Sequence, residues 1–351
     1  MKSNALIATD GRLTQDYAKT AHGLIRGSDR FNIIAVIDEK HRGKDAGSLL
    51  DGKARSIPVY GSLSAAIEDF GNIDCLIIGV ATVGGVMSAT LLELVKQAIV
   101  NGISIVNGLH ELLSSRPELM DLAQRHHVDL IDIRKPKPVD ELHFWTGKIY
   151  EVDVPIVAVL AMDCAMGKRT TARMMMDAAK GKGFRAEMIY TGQTGWMQGI
   201  TYGFIFDSTI NDFVSGELEH AIHQCWINEN PDLILLEGQS SLRNPSGPCG
   251  SEMLVSGNAR QVILVHAPAR EFFDNDPSWG KIPSIQSEVA LIEYFGSRVI
   301  GMALNTQGVS SPETWDYPST LEKELGIPVV LPLEQGVHRL IDAISFEHNE
   351  N

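Results

Sequence analysis

Short apolar runs alternate along the first half of the chain with longer segments whose apolar residues recur at helical spacing. The runs that predict buried strands are residues 5–8, 31–37, 74–79, 103–106 and 128–133. The segments that predict helices among them are residues 15–26, 88–101 and 117–127. Short apolar strands that alternate with helices predict a parallel sheet covered on both faces.

The second half repeats this alternation. Its predicted strands are residues 155–160, 184–190, 232–236, 261–266, 299–304 and 328–331, and a helix is predicted over residues 170–180. Between the halves, residues 134–138 read Arg-Lys-Pro-Lys-Pro, and each proline stops regular structure because it fixes φ and removes a donor. We therefore predict an α/β protein with one domain over residues 1–148 and a second over residues 149–351, each large enough to bury a core.

The first domain is predicted to be Rossmann-like, but it lacks the glycine-rich dinucleotide fingerprint. The segment after its first strand, residues 9–13, reads Thr-Asp-Gly-Arg-Leu and offers one glycine where the fingerprint needs three. Asp38 ends the second strand, which is where an acidic residue holds a ribose in dinucleotide-binding proteins. Without the fingerprint, the sequence favours a structural or substrate-capping role over dinucleotide binding.

Residues 161–171, Ala-Met-Asp-Cys-Ala-Met-Gly-Lys-Arg-Thr-Thr, form the most informative stretch. They follow a predicted strand and precede a predicted helix, which is the context of a phosphate-binding loop (P-loop). Backbone N–H groups and the positive end of the helix favour an anion there, and Lys168 adds a charge. The usual pattern has glycine in place of Ala161 and a metal-binding hydroxyl in place of Arg169. The predicted cofactor-binding residues are Asp163, Cys164, Gly167, Lys168, Arg169, Thr170, Thr171 and, after the fifth strand of this half, Asn305.

Polar residues also follow the other predicted strands of the second half, and the carboxyl ends of parallel strands meet at one edge of a sheet. Thr191, Gln193 and Thr194 lie in a glycine-containing segment after the second strand. Glu237 ends the third strand, where it resembles the acidic residue of a Walker B strand and would hold Mg²⁺ together with Thr170 if the site uses a metal. The alternative for Glu237 is a carboxylate that caps a nearby backbone turn.

Composition limits the classes of partner. A net charge of −14 over 351 residues argues against non-specific binding to nucleic acid or to acidic membranes. The four cysteines have no metal-type spacing and suit a reducing compartment, and no stretch has the length and hydropathy of a membrane span. We expect a cytoplasmic protein with a small-molecule substrate and no nucleic-acid or membrane partner, and homo-oligomerisation stays open.

Two family resemblances follow from these motifs. Asp163 in the loop, Glu237-Gly238 and Asn305 resemble the dethiobiotin synthetase-like P-loop group, whose members use Mg-ATP to activate carboxylates. The whole chain more closely resembles the domain of unknown function 1611 (DUF1611) family, also described as D-glutamate N-acetyltransferase-like. Five blocks in order carry this second resemblance, at residues 19–26, 163–171, 191–195, 237–242 and 266–270. It implies a Rossmann-like domain, a P-loop NTPase-like domain and, for some members, acetyl transfer from acetyl-CoA to D-glutamate. Family members often have Gly-Ser-Leu-x-His-Pro where residues 240–245 read Ser-Ser-Leu-Arg-Asn-Pro.

Acetyl transfer assigns a role to each candidate residue. The acceptor amine must lose a proton, so a general base is needed, with Glu237 the first candidate and His266 the second. Lys168 completes the predicted catalytic set. An acidic acceptor needs a cationic clamp, for which Arg243, Arg270 or Arg26 would serve. The predicted substrate-binding residues are Thr191, Gln193, Thr194, Gln239, Arg243 and Arg270.

Three functions stay open at this point. The first is an N-acetyltransferase that uses acetyl-CoA and an acidic amino acid such as D-glutamate. The second is an ATP- and Mg²⁺-dependent ligase or kinase of the dethiobiotin synthetase type. The third is a nucleotide-binding protein without turnover.

Overall fold

The computed structural model describes residues 2–310 and 315–346. The strands are β1 Ser3–Ala8, β2 Phe31–Ile37, β3 Val59–Tyr60, β4 Cys75–Ile78, β5 Ser104–Asn107, β6 Leu130–Asp132, β7 Ile156–Ala161, β8 Ala186–Tyr190, β9 Tyr202–Gly203, β10 Leu233–Glu237, β11 Gln261–His266, β12 Arg298–Leu304 and β13 Val329–Val330. The α-helices are α1 Lys19–Arg26, α2 Ala46–Asp51, α3 Leu63–Asp69, α4 Ala89–Val100, α5 Pro117–His126, α6 Lys168–Gly181, α7 Gln193–Met197, α8 Asn211–Glu229, α9 Ser251–Val255, α10 Ile285–Tyr294, α11 Tyr317–Leu325, α12 Pro332–Gln335 and α13 His338–Asp342. Among the described residues, no helix combines the length and the apolar character needed to cross a membrane.

The chain forms two compact units. The first comprises residues 1–136 and 193–200, and the second comprises residues 137–192 and 201–351. Lys137 and His143, in the segment after the prolines, both donate to the buried carboxylate of Glu217 in α8, so this segment packs within the second unit. The domain boundary predicted between residues 148 and 149 concerns which segments fold independently, and it stays a prediction.

The first unit contains a six-stranded sheet in the order β3-β2-β1-β4-β5-β6, with every neighbouring pair parallel. Two apolar clusters cover its faces. Strand order runs in opposite directions on the two sides of the β1/β4 pair. Next to that pair, a Cβ on Gly79 would lie 2.3 Å from Cγ2 of Ile7 and 3.0 Å from Cβ of Ala21, so α1 packs close to β1 and β4 only because Gly79 has no side chain.

The second unit contains a seven-stranded parallel sheet in the order β13-β12-β11-β7-β10-β8-β9. All six residues of β7 are buried, because helices cover a central parallel strand on both faces. β10 and β11 flank β7, so the loops that follow these three strands emerge side by side. Two parallel-sheet α/β units confirm the fold class predicted from the sequence.

The structure corrects several predicted elements. The helix predicted over residues 15–26 is a 3₁₀ turn, Asp16–Ala18, followed by α1, and the helix predicted over residues 170–180 already begins at Lys168. The sequence predicts no helix in the glycine-containing segment after the second strand, but the residues from Gln193 to Met197 form the short helix α7. The two-residue edge strands β3 and β9 were not predicted, because so short a strand has no measurable periodicity.

Candidate functional site

The P-loop joins β7 to the 14-residue helix α6. Ala165 has φ of 50° and Gly167 has φ of 108°, so the loop turns twice through the left-handed region before the helix begins. Such turns direct successive N–H groups to one side, and the first turn of α6 adds N–H groups that have no acceptor within the helix. Among the described residues, no heavy atom outside Gly167 and its two chain neighbours lies within 4 Å of where a Cβ of Gly167 would be, so space remains beside the turn. The loop therefore has the geometry of an anion cradle.

Lys168 is buried, and its side chain extends across the P-loop. Its Nζ donates to the carbonyl oxygen of Asp163 at 2.9 Å and to that of Ser240 at 2.6 Å. A Cβ on Gly238 would lie 2.9 Å from Cδ of Lys168 and 2.2 Å from the carbonyl oxygen of Val159. Glycine at position 238 thus lets the lysine stem pass between β7 and the end of β10.

Glu237 ends β10 directly beside β7, paired with Val159. Its Oε2 accepts from the backbone N–H of Thr191 at 3.1 Å, and its carbonyl oxygen accepts from the Thr191 hydroxyl at 2.7 Å. Burial raises the pKa of the Glu237 carboxyl group above its ordinary value, while the charges of Arg169 and Lys168 and the N–H groups of Thr191 and Gly192 oppose that rise. The structure thus brings together one buried carboxylate and two P-loop cations.

Gln239 completes this group. Its Nε2 donates to the hydroxyl of Thr191 at 3.0 Å, so the segments after β8 and β10 are joined next to Glu237. A Cβ at position 192 would lie 2.8 Å from Nε2 of Gln239, so glycine at this position leaves room for the amide. Thr191, Glu237 and Gln239, three residues predicted from the sequence, are therefore contiguous.

Asp163 is fully buried, and the protein itself occupies both of its carboxylate oxygens. Oδ1 accepts from Nδ2 of Asn244 at 2.7 Å, and Oδ2 accepts from Nη1 of Arg270 at 3.1 Å and from the N–H of Asp274 at 2.7 Å. Nη1 of Arg270 also donates to the carbonyl oxygen of Cys164 at 2.6 Å. This group, which we call the Asp163 network, fixes the start of the P-loop to the segments after β10 and β11.

One group of potential metal ligands overlaps this network. A carboxylate oxygen each from Asp163 and Asp274 and the thiol of Cys164 lie within 4.8 Å of one another. The guanidinium of Arg270 already neutralises Asp163 from within the same cluster, so the donor set suits an ion pair better than a bound cation. The thiol lies 3.4 Å from the hydroxyl of Ser240 and 3.6 Å from Nδ2 of Asn244.

The other candidate arginines have protein partners too. Arg243 donates from Nε to the buried carboxylate of Glu288 at 2.7 Å and from Nη1 to the hydroxyl of Ser287 at 2.7 Å, and 29% of its side chain remains exposed. Arg26 belongs to the first unit, where it lies 3.5 Å from a carboxylate oxygen of Asp51. Burial lowers the pKa of Arg26.

Two predicted substrate residues belong to the first unit as well. Gln193 accepts from Nη2 of Arg134 at 2.7 Å, and the hydroxyls of Thr194 and Thr20 lie 3.0 Å apart. Both side chains are buried in α7. The hydrogen bonds of these two side chains go to residues of the first unit, whereas those of the Thr191 side chain go to residues of the second unit.

His266 ends β11 and Asn305 follows β12, and these two strands lie on the other side of β7 from β10. Asn305 donates from its backbone N–H to the carbonyl oxygen of His266 at 2.8 Å and from Nδ2 to that of Met166 at 3.2 Å, so it supports the P-loop from the β12 side. Thr170 and Thr171 lie in the first turn of α6, with the N–H of Thr171 bonded to the carbonyl oxygen of Gly167 at 2.9 Å. Nδ1 of His266 is buried and has no hydrogen-bond partner among the described residues.

Burial lowers the pKa of His266 to about 4, because a charged imidazole would lose its hydration there. We therefore expect His266 to stay neutral between pH 5.5 and 8, and expect the substitution His266→Asn to leave the pH dependence of turnover unchanged in that range. Histidine-selective NMR titration checks the first expectation and a pH–rate profile checks the second. An imidazole that titrates near pH 6.5 would contradict the assignment.

The sequence analysis assigned no role to Asn244, Glu288 or Ser240, which all belong to this site. Asn244 stands before a proline in a segment rich in serine and glycine, which indicates a turn but not a partner. Ser240 has φ of 35°, and its carbonyl oxygen accepts a hydrogen bond from Nζ of Lys168. For Glu288 the sequence offers no signal, because its partner Arg243 is 45 residues away.

Comparisons with known proteins agree with this architecture. A family model described as a domain of unknown function (DUF1611_C) P-loop domain matches residues 143–341, and a second, the DUF1611_N Rossmann-like domain, matches residues 39–136. A D-glutamate N-acetyltransferase of Pseudoalteromonas sp is 29% identical over 271 residues, which cover 76% of this chain and 79% of that relative. A protein of the same name from Tritonibacter scottomollicae is 31% identical over 281 residues, with 77% and 80% covered.

One solved structure matches almost the whole chain. It is the 2.30 Å crystal structure of a DUF1611 family protein from Anabaena variabilis ATCC 29413, with a TM-score of 0.88 and 28% sequence identity. The match covers 97% of this chain and 99% of that one. Both domains of the present chain thus have a counterpart in a structure determined by experiment.

Proposed function

The chain belongs to the DUF1611 family, and on that premise we propose that it is an N-acetyltransferase that moves an acetyl group from acetyl-CoA to the amine of an acidic amino acid related to D-glutamate. The observation that carries the proposal is the position of Glu237, a buried carboxylate with a raised pKa, beside the P-loop cations Lys168 and Arg169. The names of the two relatives support the choice of donor and acceptor.

The P-loop would hold a phosphate of the acetyl donor. Its left-handed turns at Ala165 and Gly167, the N-terminus of α6 and the charge of Lys168 form a donor set that suits a phosphate oxygen. Arg169 occupies the position of the metal-binding hydroxyl, so a metal-free phosphate contact fits these residues better than Mg-ATP. Thr170 and Asn305 would support the same loop.

Glu237 acts as the general base in this proposal. Acetyl-CoA supplies an acetyl group activated as a thioester, and transfer to an ammonium acceptor releases CoA and one proton. The raised pKa makes Glu237 a better acceptor for that proton than an exposed glutamate, while Lys168 and Arg169 keep the carboxylate charged enough to take it. His266 is too weak a base for this proton at neutral pH, because burial lowers its pKa to about 4.

Two further groups would orient the reaction. Gln239 uses one amide hydrogen on Thr191, and its amide carries a second that would stabilise the oxygen of the attacked carbonyl. Arg243 is the arginine best suited to the acceptor carboxylates, because Glu288 and Ser287 hold its guanidinium in place while 29% of the side chain stays exposed. Arg270, in contrast, is committed to Asp163.

The proposal is tested with the purified full chain, acetyl-CoA and a panel of acidic amino acids that includes D- and L-glutamate. We expect release of the CoA thiol and a mass increase of the acceptor equal to one acetyl group. If no acceptor is acetylated and the protein instead hydrolyses ATP in a Mg²⁺-dependent manner, the ligase or kinase function would replace this one.

The role of Lys168 is tested in the same assay. The substitution Lys168→Ala is expected to raise KM for acetyl-CoA by about 10–100-fold, because a charged hydrogen bond to phosphate is lost. Lys180→Ala is the matched control, since Lys180 lies in the last turn of the same helix and pairs with Glu187. Equal KM values for the two variants would exclude the P-loop as the donor site.

A further inference from the structure

The first unit contains a cavity of about 510 Å³ at the carboxyl ends of its two central strands. Its lining residues are Arg12, Gln15, Tyr17, Thr82, Val86, Met87 and Ser88. They come from the segments that follow β1 and β4, the adjacent strands at which the strand order reverses. Open α/β sheets bind ligands at this position, because the two loops diverge there and leave a crevice.

The first wall is the loop after β1, and Asp38 holds it in shape. Leu13 is buried, and its N–H donates to Oδ2 of Asp38 at 3.0 Å, while the N–H of Arg12 donates to the carbonyl oxygen of Thr9 at 2.9 Å. The guanidinium of Arg12 lies 5.8 Å from the ring centre of Tyr17, which is partly exposed. Within the described chain, no acidic side chain pairs with Arg12, so the wall presents a cation whose donors are available to a ligand.

The second wall is the segment after β4, and it is equally preorganised. The hydroxyl of Thr82 donates to the carbonyl oxygen of Val86 at 2.7 Å, and the N–H of Met87 donates to Oε2 of Glu111 at 2.7 Å. Gly85 has φ of 67° and fits against His110, whose Cδ2 would lie 2.6 Å from a Cβ at position 85. This wall therefore keeps its shape without a ligand.

Ser88 joins the two walls. Its hydroxyl donates to Oδ2 of Asp10 at 2.9 Å and accepts from the N–H of Leu91 at 3.1 Å, so the same side chain bridges the loops and caps the N-terminus of α4. The 12-residue helix α4 thus begins at the cavity, and its dipole adds positive potential there. Arg12 and the start of α4 both attract an anion, and the carboxylate of Asp10 offsets part of that attraction.

A dinucleotide does not fit this site. Oδ2 of Asp38 accepts from the Thr9 hydroxyl at 2.6 Å and from Leu13, and Oδ1 accepts from Nδ1 of His41 at 2.8 Å, so the carboxylate that would hold a ribose is already used. The loop after β1 also has one glycine, Gly11, where a pyrophosphate needs several. The occupant must therefore be smaller than a dinucleotide, and it must carry an anionic group that meets Arg12.

We propose that this cavity binds a small organic anion, a carboxylate or a phosphate, whose charge meets Arg12 and whose carbon skeleton lies against Tyr17 and Met87. The volume is in the range of small-molecule sites, and an aromatic ring with one guanidinium, one amide and hydroxyls is the usual lining of such a site. This site is separate in residues from the proposed acetyl-transfer site and does not depend on it.

Isothermal titration of the full chain tests the proposal with AMP as the phosphate probe and with citrate and D-glutamate as carboxylate probes. At least one probe is expected to bind, and Arg12→Ala is expected to weaken that binding by about tenfold or more. Val86→Trp, which fills the cavity and keeps its charge, is expected to have a similar effect. Arg125→Ala, which removes an exposed arginine of the same unit outside the cavity, is expected to have none.

The probe whose binding is lost in the variants identifies the chemical class of the ligand. Loss confined to AMP assigns a phosphorylated ligand, and loss confined to citrate or D-glutamate assigns a carboxylic acid. If no probe binds at millimolar concentration, or if Arg12→Ala and Val86→Trp both bind every probe like Arg125→Ala, the proposal is wrong. Thermal melts of each variant verify that a loss of binding is not a loss of folding.

Discussion

The substitution Glu237→Gln is expected to reduce the turnover number by about 10²–10⁴-fold, which is the usual contribution of a general base. The amide keeps the shape of the carboxylate and can still accept from the N–H of Thr191, so the loop geometry should persist. Glutamine cannot take the proton that the proposed acetyl transfer would release. The measurement is kcat for CoA release at saturating acetyl-CoA and acceptor.

The same substitution is expected to stabilise the protein at neutral pH. Burial raises the pKa of Glu237, so the folded state binds this proton more tightly than the unfolded state does. The corresponding stability is fully present below the ordinary glutamate pKa and is lost as the pH rises through the higher folded value. Thermal melts should therefore show a higher Tm for Glu237→Gln at pH 7–8 and no difference below pH 4.

Glu293→Gln is the control for both effects, because Glu293 is an exposed glutamate on α10 of the same unit. It should change neither kcat nor the pH dependence of Tm. Unchanged turnover in Glu237→Gln would remove this residue as the base, whatever its effect on stability.

The substitution Asp163→Ala is expected to lower the free energy of unfolding of the protein by about 3–5 kcal/mol. It leaves the buried guanidinium of Arg270 without its counter-charge and removes an acceptor from Asn244 and from the N–H of Asp274. Urea denaturation measures the change. Because the network fixes the start of the P-loop, binding of acetyl-CoA should weaken in parallel.

Asp177→Ala is the matched control, since Asp177 also pairs with an arginine of this unit, Arg173, but 56% of its side chain is exposed. A surface pair of this kind contributes about 0–1 kcal/mol. The double variant Asp163→Ala, Arg270→Ala should recover part of the lost stability, because it removes the unpaired charge. Equal effects of Asp163→Ala and Asp177→Ala would contradict a structural role for the network.

Local patterns in the sequence predicted most of the strands. The runs at residues 31–37 and 261–266 match β2 and β11 at both ends, because each is a mostly apolar run that lies between polar residues or turns. α7 was missed because it has five residues, one of them glycine, and such a segment has no helical periodicity. Its packing with the first unit depends on contacts with residues far away in sequence, such as Thr20 and Arg134.

The candidate site was predictable only where it depends on strand ends. Lys168 and Glu237 follow or end adjacent parallel strands, so their proximity follows from the fold. The partners of Asp163 do not, because Asn244 and Arg270 lie 81 and 107 residues further along the chain. A sequence also does not distinguish an arginine that faces a ligand from one that neutralises a buried carboxylate, and Arg270 is of the second kind.

The position of β7 in its sheet has a consequence for synthesis on the ribosome. β7 pairs with β10 and β11 and not with β8, the next strand along the chain. A nascent chain therefore carries β7 without a partner strand until β10 has emerged, and both flanks are in place only after residue 266 has left the exit tunnel. Until then the P-loop lacks the segments after β10 and β11 that hold its start in place, and the edges of β7 have no partner strand.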